Sequence, residues 1–285
     1  MSHRLGSRGV IVPALTAFAI AGCGGGDGGS GGGDNSGAGS AVENPVDAAT
    51  AGNIMGSITF EGMAPTMDVI DMGDEEVCAE KHMSTPMTEV VVVNDNGTLA
   101  NVFVYVKEGL ESLQFPTPSE PVLLDQNGCV YLPHVLGVMT GQDITIRNSD
   151  GLLHNINASP TEQRGFNTSQ PVNMETPRNF GTAEVMVPLR CDVHGWMTAY
   201  VGVTNHPYHS VSGSDGSFDL STLPPGDYVV EAWHERYGAQ TQNVTVVTGE
   251  TAEITFTFSA SMAGDLVPMG EPIDLHNHTV AVDSD

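Results

Sequence analysis

The sequence predicts an all-β protein built as two β-sandwiches, on three observations. From residue 54 onward, short runs rich in β-branched and aromatic residues alternate with Gly, Pro, Asn and Asp turn signals. No window keeps apolar residues at i, i+3, i+4, i+7 for three turns, so an amphipathic helix is not expected. A composition seam at Asn205–His209 separates two sets of such runs, and many short strands with Gly/Pro-rich turns pack as sandwiches.

In chain order, residues 1–22 carry Arg4, Arg8 and the apolar run Val10–Ala21 without an acidic residue. A basic start and a short apolar stretch read as a secretory signal, too short to span a membrane comfortably. Residues 23–52 form a Gly-rich tether. Gly24, Gly26 and Gly29 match G-x-G-x-x-G, but no strand precedes them and no helical pattern follows, so a phosphate cradle is rejected. About 30 residues of such chain reach on the order of 30 Å. Strands are expected at 54–60, 89–93, 101–106, 143–147, 183–187 and 199–203, all within a first domain at 53–205. A second domain at 206–260 has strands near 228–236, 242–247 and 252–258. Alternation places Tyr228, Val230, Ala232 and His234 on one face, which makes His234 a core histidine rather than a ligand. Residues 261–285 read as an acidic tail.

Charge removes one class of function. Nine Lys+Arg stand against 35 Asp+Glu, a formal charge of −26, and Lys81 and Lys107 are the only lysines. No basic stripe can be assembled, so nucleic acid is excluded as a partner. The acidity lies mainly outside residues 130–205, which hold four basic and six acidic residues.

The chemistry concentrates in Cys191-Asp-Val-His194-Gly-Trp-Met197, which places a thiolate, an imidazole and a thioether within seven residues. Cys and Met suit Cu(I) and imidazole suits either oxidation state, so the mixture points to copper. His154, directly after an expected strand, supplies a second imidazole for a His₂Cys plane with a weak axial Met. With those residues in view, the sequence resembles the cupredoxins, the plastocyanin, azurin and amicyanin group. The C-x₂-H-x₂-M loop is similar to the short amicyanin type, with Gly195 and Trp196 at its Pro and Phe positions. Tyr131-Leu-Pro133, Gly141 and Asn148-Ser-Asp150 resemble the family's lead-in to its first histidine ligand. The resemblance covers roughly residues 88–205 and is tightest at 131–204. It implies a Greek-key sandwich and one type 1 copper ion on His154, Cys191, His194 and Met197. It also implies that Asn155 ties the two ligand loops together, with Trp196, Leu152 and Leu153 as the contact rim around an exposed His194 edge. Pro188-Leu-Arg190 departs from the aromatic strand often found before the cysteine. A Cys191–His194 nucleophilic pair is disfavoured, because no third group or oxyanion signature accompanies it.

Two further resemblances complete the reading. Ile20-Ala21-Gly22-Cys23 resembles the bacterial lipobox, which implies lipidation of Cys23, with each buried CH₂ contributing about 0.8 kcal/mol of membrane anchoring. Gly24 in place of Asp favours the outer membrane or cell surface. Asp215-Gly-Ser-Phe218 and Leu223-Pro-Pro-Gly-Asp-Tyr228 resemble the carboxypeptidase regulatory-like, transthyretin-type sandwich. Residues 52–60 resemble the opening strand of that same module, so an insertion of the first domain into the second stays open. With Cys23 and Cys191 assigned, an oxidising compartment favours a Cys78–Cys129 disulfide. It is worth on the order of 3–4 kcal/mol in the chain-entropy model. A metal pair of Cys129 with His134 is the alternative, short of ligands. The expected function is a lipid-anchored, non-enzymatic one-electron carrier outside the cytoplasm, exchanging with a redox protein such as a cytochrome or oxidase. A copper scavenger or delivery lipoprotein and a structural surface lipoprotein are the alternatives.

Overall fold

The structure, a computed structural model, describes residues 42–73 and 75–263. The expected signal segment, most of the tether, Cys23 and the tail beyond residue 263 lie outside the described residues. The described residues are all-β apart from one helical turn, α1 (Glu76–Ala79), and a 3₁₀ turn at Ala260–Met262. No helix among the described residues is long and apolar enough to cross a membrane.

The chain opens with β1 (Gly52–Glu61) and β2 (Phe103–Glu108). Nine strands follow: β3 (Val122–Gln126), β4 (Tyr131–Leu132), β5 (Val135–Met139), β6 (Ile144–Asn148), β7 (His154–Ala158), β8 (Phe166–Gln170), β9 (Met174–Arg178), β10 (Glu184–Arg190) and β11 (Thr198–Thr204). The last five are β12 (His209–Val211), β13 (Ser217–Leu223), β14 (Gly226–His234), β15 (Gly238–Val246) and β16 (Thr251–Ser259). Four sheets result, ordered β5-β11-β10-β7-β8, β4-β3-β6-β9, β13-β1-β16 and β12-β2-β14-β15.

Sheet membership does not follow the expected boundary at residue 205. β1 pairs parallel with β16, Ile58 opposite Phe256, and antiparallel with β13. β2 pairs with both β12 and β14. The sandwich of the C-terminal strands therefore also contains the first two strands of the chain, and the sandwich of β3–β11 is inserted between β2 and β12. Each has its own core. Ile54, Ile58, Val104, Val230, Phe256 and Phe258 belong to one, and Leu124, Ile146, Ile156, Val187, Leu189 and Val201 to the other. Tyr228, Val230, Ala232 and His234 are all buried on one face of β14, as alternation requires.

Residues 89–93 are not a strand. The Val91 N–H turns to Met67 Sδ and the Val92 carbonyl accepts from Ala100 N–H, so their bonds are scattered rather than laddered. Strands β8 and β9 carry no apolar alternation, because each closes the edge of a sheet.

The two sandwiches meet on an aromatic seat. Phe103 of β2 packs with Val135 and Tyr200, its ring lying over paired Gly137 and Gly202. A Cβ on Gly202 would stand 2.3 Å from that ring, and one on Gly137 2.3 Å from His209 Nδ1. Overpacking a fitted contact costs about 1–3 kcal/mol. Gly202→Ala is therefore expected to lower the unfolding free energy by that amount, read as a lower denaturant midpoint.

His209 stacks on Phe103 at 5.7 Å in the same seat. Burial, and then the neighbouring His206, push its pKa down to about 4. The unfolded chain titrates near 6.5, so the unfolded state binds more protons between those values and stability falls as pH drops from about 6.5 to 4. The loss expected from this residue is on the order of 2 kcal/mol. Thermal melts across that window are expected to show a shallower acid slope in His209→Gln.

Candidate metal centre

The ends of three strands bring the site together. β7 begins at His154, β10 ends at Arg190 just before Cys191, and β11 begins at Thr198 just after Met197. Between the last two the chain closes on itself. Cys191 N–H donates to the Met197 carbonyl at 3.0 Å and Met197 N–H to the His194 carbonyl at 2.9 Å. His194 N–H points at Cys191 Sγ, 3.4 Å away. The two imidazoles meet through their Nδ1 atoms at 2.9 Å, and Cys191 Sγ is 3.9 Å from His194 Nδ1. The sulfur and the two imidazoles offer ligand atoms that all lie within 4.8 Å of one another. His154 is 0%, His194 1% and Cys191 2% exposed. A buried sulfur and two buried imidazoles at this spacing fit a single ion at bond lengths of about 2.0–2.3 Å. Met197 is buried in the same core.

Hydrogen bonds preset this arrangement. Asn155 Oδ1 accepts from Asp192 N–H at 2.7 Å and from the Cys191 thiol at 3.3 Å, so one side chain of β7 joins both ligand loops. Its Nδ2 donates to Asp192 and Asn167, and Tyr131 O–H holds its carbonyl at 2.6 Å. Asp192 receives amides from Asn155, Asn157 and Asn167. Burial raises the pKa of Asp192, but those amides outweigh it and hold the carboxyl below its usual range. Burial likewise opposes ionisation of Cys191. His154 and the surrounding backbone N–H groups overcome it and lower the thiol pKa, which favours the thiolate a metal needs.

Behind His154 stands Asp150, whose Oδ2 is 2.9 Å from His154 Nε2. Gly128 and Cys129 N–H groups and Lys81 also hold this carboxylate. Although burial opposes it, His154 and these donors bring its pKa down to about 2. A carboxylate on the far nitrogen fixes a ligand imidazole's tautomer and orientation. Sequence reasoning quoted Asp150 only as lead-in and overlooked Asp192, Asn157 and Asn167. The Asn148-Ser-Asp150 signal was available for the first, whereas sequence spacing does not place the two asparagines beside Asp192.

The exposed His194 edge is not found. Cys78 and Cys129 form a disulfide with Cα atoms 5.6 Å apart, and Cys78 Sγ lies 4.0 Å from His194 Nε2. Trp196 packs tilted beside His194 with ring centroids 5.2 Å apart and donates its indole N–H to the Cys129 carbonyl at 2.9 Å. A helical turn and its disulfide thus cover the face expected to meet solvent. Trp196 is half-buried and lines a cleft of about 310 Å³ with Ile70, His82, Met87, Val130 and His134. Leu152 is half-buried and Leu153 exposed. Cys129 forms no pair with His134, whose ring nitrogens face the Thr198 carbonyl and the Glu235 carboxylate. His234 is buried in the other core, accepting from Arg236 N–H at 3.0 Å.

The structural neighbours of this chain are cupredoxins. A purple cupredoxin from Nitrosopumilus maritimus is 19% identical over 29% of this chain and 99% of its own, with a TM-score of 0.26. An amicyanin variant in its oxidized state is 19% identical over 29% and 81%, with a TM-score of 0.27. A Cu-containing nitrite reductase from Thermus scotoductus SA-01 is 15% identical over 33% of this chain and 26% of its own, at 0.29. In all three the identity is below 20%, a third or less of this chain is covered, and the TM-score is below 0.3. The carboxypeptidase regulatory-like domain model matches residues 197–259, that is β11 to β16. No curated protein matches the chain.

Removing a group that orients ligands typically lowers metal affinity about 10–100-fold. Asn155→Ala is expected to do so here and also to lower the melting temperature of the metal-free protein, since the Asp192 N–H and the Cys191 thiol lose their acceptor, as competition with a chelator and a thermal melt would show.

Proposed function

We propose that this protein is a membrane-anchored type 1 copper protein that carries single electrons outside the cytoplasm, and that it catalyses no bond-making step. The observation that carries this reading is the buried cluster of His154, Cys191 and His194, already tied together by Asn155 before any ion is bound. Copper, when bound, would supply a one-electron couple. The chain's own part would be to hold the ion between two imidazole nitrogens and one thiolate, with Met197, buried in the same core, as a further, weaker donor. Asn155 and the Asp192 amide cluster limit how far the loop can rearrange between oxidation states. Water is excluded, since all three ligand side chains are buried.

The redox partner, a cytochrome or oxidase in this reading, would approach on the Trp196 side, because the disulfide covers the direct edge of His194. Trp196 touches His194 and reaches the cleft. Anchoring would come from lipid on Cys23 at the outer membrane or cell surface, and rests on the sequence signal alone.

A second reading, a copper scavenger or delivery lipoprotein that uses the same ligands, is favoured by the covered His194 edge, which leaves neither ligand imidazole open to a redox partner. A carrier is expected to exchange electrons rapidly while keeping its copper, whereas a delivery protein surrenders copper to a chelator or partner.

Cu(II) added to the purified protein is expected to give an intense visible thiolate-to-copper absorption that Cys191→Ser abolishes. A colourless wild-type complex, or a Cys191→Ser variant with the same spectrum, would sink the type 1 assignment.

A further inference from the structure

The two imidazoles use only their Nδ1 atoms toward each other and Cys191. Their Nε2 atoms face the opposite way, into a second buried group of metal-ligating side chains. His154 Nε2 meets Asp150 Oδ2 at 2.9 Å, and His194 Nε2 meets Cys78 Sγ at 4.0 Å. Cys129, Asp150 and His154 offer ligand atoms all within 4.8 Å of one another. Cys78, Cys129, Asp150 and His154 are all buried.

The backbone is shaped for this second group. Gly128 and Cys129 have φ of 72° and 55°, and the left-handed region is uncommon for a residue with a side chain. In that conformation both N–H groups reach the Asp150 carboxylate, at 2.7 and 2.8 Å. The loop carrying Cys129 is thus pinned against Asp150 whether or not its sulfur is bonded to Cys78. Cys78 sits on α1, in a stretch closed at its base by the bridge of Val69 with Met87 and held against the loop of Cys129 by His82 on the Gly128 carbonyl at 2.7 Å.

We infer that this group is a second metal site, held shut by the disulfide, and that it accepts a thiophilic d¹⁰ cation such as Zn²⁺ or Cu⁺ once the disulfide is reduced. Its ligands are the Cys78 and Cys129 thiolates, an Asp150 oxygen and His154 Nε2. Two thiolates, one imidazole and one carboxylate complete the four-coordinate set such ions take. The opening step is thiol–disulfide exchange. Two thiol equivalents give up two electrons and become a disulfide, the Cys78–Cys129 bond breaks, and both sulfurs gain protons. Metal binding then releases those two protons to solvent. Lys81, paired with Asp150 at 3.2 Å and partly exposed, is free to swing outward as the ion takes over the carboxylate. With His154 Nε2 on this ion, the remaining ring proton sits on Nδ1; the site needs neither Cys191 nor His194 and so does not depend on the copper reading.

The test uses the full mature chain carrying Cys191→Ser, which removes the inner thiolate. The protein is compared oxidised and after treatment with a phosphine reductant, with release of Cys78 and Cys129 verified by alkylation and peptide mass. Zn²⁺ is the probe, read by native mass spectrometry and by thermal melts. Reduction is expected to add one bound Zn²⁺ and to make Zn²⁺ raise the melting temperature of the reduced chain only. Adding Asp150→Asn is expected to weaken that ion about tenfold or more, and adding Cys129→Ser to abolish it. No additional ion after both thiols are shown free would overturn the site. So would a reduced chain that unfolds and is not restored by Zn²⁺, or an Asp150→Asn affinity equal to the parent's, which would mean two thiolates acting alone. Loss of the visible copper band in the otherwise unmodified protein would instead count against the inner copper reading and leave this outcome untouched.

Discussion

The rest of the site depends on one constraint: a thiol and two imidazoles are buried together, and a buried polar group must find a partner or cost free energy. His154 and His194 satisfy part of that need on each other, and Cys191 satisfies its own on Asn155 and backbone N–H groups. The remaining demand spreads outward to Asp150 behind His154 and to Asp192 beneath the cysteine loop. Both are carboxylates held by several donors. The outcome is a donor set whose geometry is established by hydrogen bonds, so an ion would bind with little rearrangement of the loops.

The two-sandwich plan serves this constraint. A β-sandwich leaves its loops at the ends, where backbone can be irregular, while the strands beneath stay rigid. Here β7, β10 and β11 lie together in one five-stranded sheet, so the ligands at their ends inherit the sheet's register. The second sandwich is threaded through by the first, entering at β2 and resuming at β12, and these two strands pair with each other. That adjacency lets an inserted domain begin and end at nearly the same point. The Phe103 ring over Gly137 and Gly202 then seats one body on the other.

Covering His194 changes what a partner can reach. The Cys78–Cys129 disulfide brings the segment before β2 across the loops of His154 and His194, although that segment belongs to neither sandwich's sheets. Trp196 is left as the ring that touches the ligand imidazole and also borders a cleft. The same covering creates the second cluster of donors, because a disulfide laid against two ligand histidines places sulfur beside their unused faces.

Much of the site was legible in the sequence because its residues are close along the chain. Cys191, His194 and Met197 occupy one short loop, and His154 and Asn155 follow a strand that β-branched alternation makes recognisable. The all-β class was legible for the same local reason, since period-two alternation and turn residues act over a few positions. Edge strands β8 and β9 escaped because most of their inward positions are polar, such as Thr168, Gln170 and Thr176, and leave no apolar pattern. What the sequence by itself determined is the set of donor types, their spacing and the strand-rich character of the chain. Only the tertiary structure decided that β1 and β2 close the second sandwich, that Asp150 and three asparagines brace the ligands, and that a disulfide buries the His194 edge. These features join residues tens to hundreds of positions apart, and neither propensity nor spacing carries information over that separation until the chain has packed.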